Sequence, residues 1–481
     1  MSQESTPACH AVVAPPPPHV LLVSAPFQGH VNPLLALGQR LASMGLLVTF
    51  TTAVHTGLRF KHQQHGEDGA AVDAVGRGAM RFEHLRGGEV WAPDDPRYHV
   101  ADDVGRNLDA VASVALSELI RRQADAGRPV TCVVANVFAP WALRAAGAMG
   151  VPGAMLWTQS CTVMSLYYHY FQSLAAFPSK EAGPDAPVDV PGLPTLAAGD
   201  LPALIHEPEE NIWRQALLSD FRSLRETVSW VLVNTADELE HAAIEALRPH
   251  LPVLPLPVGP LLDMEKISAA DDADDECTAW LDAQPPRSVV FVAFGSLVKL
   301  DRDEMAELAG GLASTRRPCL WVVRDDSRDL LPDTAVASGD SWGRGKLVSW
   351  CDQRRVLSHS AVGCFITHCG WNSTTEALAA GVPVVAYPVF SDQRTNAAFL
   401  VDVCGVAVRL PTSPTRDALR QSVEVVMGDG AQGKHIRARA QGWRDKTCAA
   451  LAEGGSSDMA TQEFVDAVLS IGMNYSSMPF V

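Results

Sequence analysis

Residues 350–393 read WCDQRRVLSHSAVGCFITHCGWNSTTEALAAGVPVVAYPVFSDQ: a short apolar run of strand formers from Val362 to His368, a turn at Cys369 and Gly370, then a helical stretch, WNSTTEALAA. A strand that stops at a glycine turn and feeds a helix aims the first, unpartnered N–H groups of that helix at one point. The helix dipole is positive there as well. Such a point binds anions, and His368, Asn372 and Ser373 add side-chain donors around it, enough for a diphosphate. Trp350 stands at a strand end just before a helix starting near Gln353, so an indole face and an amide edge meet where a base could stack. Glu376, one turn into the second helix, could accept from a ribose diol. Asp392 and Gln393 follow the buried strand VPVVAYP, and such an acid–amide pair suits sugar hydroxyls. Each has a plain alternative: a Ser373-x-x-Glu376 capping box, core tryptophans at 350 and 371, a solvated Asp-Gln loop. Their joint occurrence favours a site for a nucleotide sugar.

Outward from this stretch the chain alternates strand and helix. HVLLVSA from His19 is a buried strand, FQGHVNP a turn that carries His30, PLLALGQRLASMG a helix ended by Gly45, and LLVTFTTA a second strand. This is a parallel βαβ unit, and ligands sit beyond the carboxyl ends of such strands. PVTCVVANVF (residues 129–138) and VPGAMLW (residues 151–157) add two strands around a helix near Pro140. The acidic stretch SAADDADDECTAW (residues 268–280) then reads as a linker, and the pattern restarts with SVVFVAF, a turn at Gly295 and Ser296, a helix from Asp303 and the strand CLWVVR. The expected fold is α/β, two facing Rossmann-like domains with an interdomain cleft. The expected boundaries are a disordered leader over 1–18, an N-terminal domain over 19–260, the linker over 261–280, a C-terminal domain over 281–455 and, over 456–481, a closing helix followed by a loose tail formed by the last ten residues.

A chain of 481 residues is too long for one ordinary core and, at 47% apolar, is globular. Its net charge of −17 argues against nucleic acid or an anionic membrane surface as partner. The 10 cysteines lie singly, without CxxC pairs, as in a reduced, cytoplasmic protein. No signal-peptide pattern or long apolar run marks a secreted or membrane protein, and nothing calls for more than a monomer. No GxGxxG follows a strand, which disfavours a dinucleotide dehydrogenase. Asp272-Ala-Asp274 matches a metal-binding DxD but lies in the linker with no strand feeding it, so no metal and no cofactor is expected.

The 350–393 stretch is similar, at full length and without gaps, to the signature box of plant secondary-product UDP-glycosyltransferases, which opens with Trp, closes with Asp-Gln and contains HCGWNS. The resemblance implies the GT-B arrangement and UDP-glucose as co-substrate. It also implies a C-terminal helix, SSDMATQEFVDAVLSI, that returns to the N-terminal domain. By resemblance Trp350 stacks on uracil, Gln353 and Glu376 bind the ribose side, and His368, Asn372 and Ser373, with Gly370 at the turn, hold the diphosphate. Trp371, Asp392 and Gln393 would face the sugar, Thr158 would contact it, and Ser296 is expected beside the phosphates. Three positions depart from the box: Asp352 where Pro is common, Phe390 where Trp is common and Ser391 where Gly is common.

In the N-terminal half, WAPDDPR, GRPVTCVV, FAPW, LWTQSC, YYHYF and FPS resemble the branch that makes 1-O-glucose esters of phenolic and related carboxylic acids. The family's loop histidine, which takes the acceptor proton, is matched by His30. The aspartate that orients it is replaced by Asn136. An amide cannot stabilise an imidazolium by charge, so His30 should be a weak base. A phenol, with a pKa of about 10, is then hard to activate, whereas a carboxylic acid arrives ionised and needs only positioning. The expected reaction is in-line displacement on UDP-α-glucose by a small aromatic acid, giving a β-ester, with Arg97 a candidate partner for the acceptor carboxylate. The alternatives are O- or C-glucosylation of phenols and flavonoids, a catalytically silent UDP-sugar-binding protein, and a metal-dependent transferase.

Overall fold

The structure, a computed structural model, describes residues 17–25, 27–52, 72–85, 101–262, 272–332, 341–342 and 344–476. Arg97 and all but the last two residues of the expected leader lie outside them. The first sheet comprises β1 (His19–Ser24), β2 (Leu47–Thr52), β3 (Val72–Val75), β4 (Gly78–His84), β5 (Val130–Asn136) and β6 (Gly153–Trp157). After a small ribbon of β7 (Pro187–Val188) and β8 (Leu196–Ala197) it gains β9 (Val228–Val233) and β10 (Pro255–Pro257). The order is β10-β9-β6-β5-β1-β2-β4-β3, parallel throughout except for the β3–β4 edge. β1, β2 and β5 are buried along their whole length, as apolar runs covered by helices on both faces must be.

The second sheet comprises β11 (Val289–Ala293), β12 (Cys319–Val322), β13 (Ser341–Trp342), β14 (Gly345–Val348), β15 (Val362–Thr367), β16 (Val384–Ala386) and β17 (Ala407–Arg409). Its order is β13-β14-β12-β11-β15-β16-β17, with only β13–β14 antiparallel. Each sheet reverses its strand order at one place, beside β1 in the first and beside β11 in the second. A crevice opens at the carboxyl ends of the strands on either side of such a reversal. His30 follows β1 and Asn136 ends β5, while Ser296 follows β11 and His368 follows β15.

The helix Ser456–Ser476 lies on the first sheet: Phe464, Val465 and Val468 share an apolar cluster with Val20, Leu22 and Val134. Arg40 pairs with Asp458 at 3.3 Å and donates to the Val258 carbonyl at 3.1 Å. Among the described residues no helix is long and apolar enough to cross a membrane.

Three expectations are corrected. The first helix runs Gln28–Ser43, so His30 sits in its first turn and not in a loop, with Pro33 inside the helix. The acidic stretch is helical from Asp272 to Asp282, because Cys277 and Leu281 bury against Ala236 and Leu239. The last helix continues to Ser476, beyond the point where a loose tail was expected.

Candidate active site

On the C-terminal side, β15 ends one residue before His368, Cys369 takes a left-handed φ of 63°, and the helix Trp371–Ala380 begins behind Gly370. The turn's left-handed residue is thus the cysteine. Gly370 is needed for a different reason: a Cβ there would stand 2.6 Å from His368 Nε2, and one at Gly295 would stand 2.9 Å from the same atom. Two bare backbones clasp the imidazole. Its desolvated setting pushes His368 down to about 4, so it is neutral at pH 7 and able to donate from one nitrogen only.

Gln353 Nε2 donates to Ser373 Oγ at 2.8 Å and to Glu376 Oε2 at 2.6 Å. The capping box between Ser373 and Glu376 therefore does not form; both side chains turn to the Gln353 helix and close one wall of the crevice. Asp352, where the box commonly has Pro, caps that helix by accepting from the Arg355 N–H at 3.1 Å. Trp350 is 51% exposed and leaves its indole open to a stacking partner, while Ser296 is half-buried in the turn after β11.

Trp371 does not face the crevice with its side chain. It is 3% exposed, packs edge-on to Phe399 and gives its indole N–H to the Asn234 carbonyl at 2.6 Å. Only its backbone lies at the helix start. Asn372 bridges the two halves: Nδ2 donates to the Gly29 carbonyl at 3.1 Å and Oδ1 accepts from Asn234 Nδ2 at 3.4 Å. Gly29 lies four residues before Pro33, which has no N–H to offer it within the helix, so its carbonyl is open to Asn372.

Asp392 is buried, accepts from Asn396 Nδ2 at 2.9 Å and also bonds Gln159 and Ser391, with burial pushing its carboxyl up. Gln393 Oε1 accepts from the Val389 and Phe390 N–H groups at 2.9 and 3.0 Å, which leaves the amide nitrogen as its contribution to a ligand. Ser391 has φ of 60°, a conformation that favours glycine and accounts for the residue common there. Its carbonyl accepts from the Ala203 N–H at 3.2 Å, and Thr395 Oγ1 donates to the Asp200 carbonyl at 2.6 Å, so the 198–205 segment is tied to this turn.

Across the crevice, His30 Nδ1 lies 3.3 Å from Thr158 Oγ1. Thr158, expected at the sugar, is thus the group that meets the imidazole. Asn136 does not touch the ring. Its Nδ2 donates to the His30 carbonyl at 3.0 Å and to Ser24 Oγ at 3.1 Å, and its Oδ1 accepts from the Ala25 N–H at 2.8 Å. It fixes the backbone from which His30 projects and does not orient the imidazole. Burial alone pushes His30 down to about 4, with no charged group among the described residues acting on it. No other acid there replaces the missing aspartate.

This geometry makes Asn136→Asp a costly change. A carboxylate would keep the Ala25 N–H but face the His30 carbonyl as acceptor to acceptor, in a site that is 1% exposed. The loss of two buried donors is worth about 1–3 kcal/mol each. The variant is expected to melt several degrees lower, as read by differential scanning fluorimetry, without gaining activity on phenols. A variant as stable as the parent and newly active on phenols would show that the carboxylate had reached the ring.

Three rings missing from the sequence reading surround His30. Phe27 lies 6.1 Å and Phe138 5.7 Å from it, both edge-on, and Trp213 contacts Phe27 at 5.3 Å and Phe138 at 5.9 Å. Trp213 belongs to the helix Ile212–Glu226, capped by Asn211. No local pattern could connect it with a phenylalanine 75 positions earlier. The site as a whole sets a neutral imidazole among aromatic rings opposite the start of the Trp371–Ala380 helix.

The chain is similar to known proteins in both sequence and fold. Residues 201–447 match the family model described as "UDP-glucoronosyl and UDP-glucosyl transferase". The chain is 40% identical over 468 residues to a gallate 1-beta-glucosyltransferase of Punica granatum, covering 94% of this chain and 90% of that one. It is 38% identical over 477 residues to a cinnamate beta-D-glucosyltransferase of Fragaria ananassa, covering 95% and 84%. Among solved structures it is similar to Os79 from O. sativa in complex with UDP, with a TM-score of 0.79, 29% identity and coverage of 93% and 100%.

Proposed function

The chain belongs to the UDP-glucoronosyl and UDP-glucosyl transferase family, with the GT-B fold, and from that premise we propose that it transfers glucose from UDP-glucose to the carboxylate of a small plant aromatic acid, giving a 1-O-β-glucose ester. The observation that carries this reading is that no charged group among the described residues acts on His30. An imidazole held neutral beside a threonine is a poor base for a phenol. It is, however, able to donate to a carboxylate: in the tautomer protonated at Nε2, Nδ1 accepts from the Thr158 hydroxyl 3.3 Å away and the Nε2–H is left for the acceptor. A hydroxyl permits that tautomer, whereas a carboxylate on Nδ1 would enforce the opposite one. The similarity to gallate and cinnamate glucosyltransferases supports the same conclusion.

In this reading the acceptor carboxylate attacks the anomeric carbon from the face opposite UDP, its oxygen forms the new bond, and the C–O bond to the diphosphate breaks with inversion. No proton needs to move. The leaving charge falls on the start of the Trp371–Ala380 helix, on the Gly370, Asn372 and Ser373 backbone and on His368 and Ser296, so the chain's own dipoles supply the stabilisation without a metal. Trp350 takes the uracil, Gln353 and Glu376 the ribose, and Asp392 with the Gln393 amide nitrogen the glucose hydroxyls. Residues 19–260 serve the acceptor and residues 281–455 the donor, within one cytoplasmic chain acting as a monomer.

The test is a product assay with UDP-glucose against hydroxybenzoic and hydroxycinnamic acids, indole acids and flavonols, with mild alkali applied to each product and a chelator in a parallel set. Alkali-labile products from the acids, formed equally with chelator, are expected. Alkali-stable products from phenols alone would overturn ester formation, and UDP-glucose binding without any product would identify a silent binding protein.

A further inference from the structure

Phe138 has φ of 70°, a conformation that bulky L residues rarely adopt. It follows the end of β5 by two residues, and its ring is one of the three around His30. The backbone is held there from one side: the Phe138 N–H donates to Asp220 Oδ2 at 2.7 Å. Asp220 is completely buried, and its other oxygen, Oδ1, has no hydrogen-bond partner among the described residues. It shares the Ile212–Glu226 helix with Trp213, seven residues and two turns away on the same side, so one helix supplies both an aromatic neighbour of the Phe138 ring and the clamp on the Phe138 backbone. A buried carboxyl with an idle oxygen is a cost to folding that stability alone does not explain, and such costs gather where a strained backbone serves a site. Burial pushes this carboxyl up to about 8, so near neutral pH it is mostly the uncharged acid and asparagine is a close stand-in for it.

We infer that Asp220 is a positioning residue for the acceptor: by holding the Phe138 N–H it fixes the left-handed turn that sets the Phe138 ring against His30 and Trp213, and so fixes the apolar wall beside His30 that a planar aromatic acid would meet. The assignment rests on the acceptor reading given above. In that role the clamp acts on acceptor binding and on the dryness of His30, and leaves the donor site across the crevice alone.

Steady-state kinetics of Asp220→Ala, Asp220→Asn and Phe138→Ala, combined with an NMR titration of the His30 ring in each, test it. In Asp220→Ala the acceptor KM should rise about tenfold with the UDP-glucose KM within about twofold of the parent, while the His30 titration moves up from about 4 toward its ordinary value. Asp220→Asn should restore both readouts, and Phe138→Ala should reproduce the Asp220→Ala pattern, with the double variant no worse than either single one. Equal rises in the two KM values, multiplying effects in the double variant, or an unshifted His30 titration in Phe138→Ala would each overturn the assignment. The last holds even where Asp220→Ala fails to fold. Should the parent protein transfer glucose to no aromatic acid, the functional reading falls, and the His30 titrations still decide the role of Asp220.

Discussion

His30→Ala should lower transfer to a phenol by about 10²-fold and transfer to a carboxylic acid by only about tenfold. General base catalysis contributes roughly 10²–10⁴-fold where a base is matched to its task. The lower end applies because burial holds the imidazole near 4, leaving it neutral but a weak proton acceptor. For an acid the substrate proton is already gone, and what alanine removes is one hydrogen bond and part of the positioning. The same state predicts that acid transfer by the parent enzyme is flat between about pH 6 and pH 8, since His30 and His368 remain neutral there. Initial rates for one acid and one phenol, compared across the parent and the variant, check the contrast. Equal losses for both acceptors would mean that His30 removes a proton from each, and the ester reading would lose its chemical basis.

Gly370→Ala should weaken UDP-glucose binding by about 10–100-fold while leaving the fold intact. The φ of −59° at Gly370 suits alanine, so the damage comes from space and not from strain. The new methyl would stand 2.6 Å from His368 Nε2, and Gly295 on the other side bars retreat of the ring. Displacing His368 costs the hydrogen bond proposed for the diphosphate, about 1.5–3 kcal/mol for a bond to a charged group. Calorimetric titration with UDP measures this, and the double variant His368→Ala with Gly370→Ala isolates the cause. It should bind no worse than His368→Ala alone. Normal UDP affinity in Gly370→Ala would show that His368 is not held between the two glycines in the bound state.

The donor half was legible because its groups are neighbours in sequence as well as in space. Trp350, Gln353, His368, Gly370, Asn372, Ser373, Glu376, Asp392 and Gln393 fall within 44 residues, and strand, turn and helix periodicities place them at one sheet end. Even there, packing changed individual meanings. Trp371 went to the core because its indole meets the Asn234 carbonyl. Ser373 and Glu376 faced Gln353 instead of capping their own helix. His30 entered the first turn of a helix, where Pro33 had suggested that a loop still ran.

From the sequence alone came the two βα series, the anion-binding turn, the Trp-to-Asp-Gln box and the absence of an aspartate at 136, each a matter of local periodicity or of residue identity. Tertiary structure decided what Asn136 and Thr158 do, since which of two side chains reaches an imidazole depends on how the ends of β5 and β6 meet the first turn of the Gln28–Ser43 helix. It also decided the aromatic cluster at His30. Phe27, Phe138, Trp213 and Asp220 come from three separate segments, and only the packing of the Ile212–Glu226 helix against the end of β5 brings them to one place.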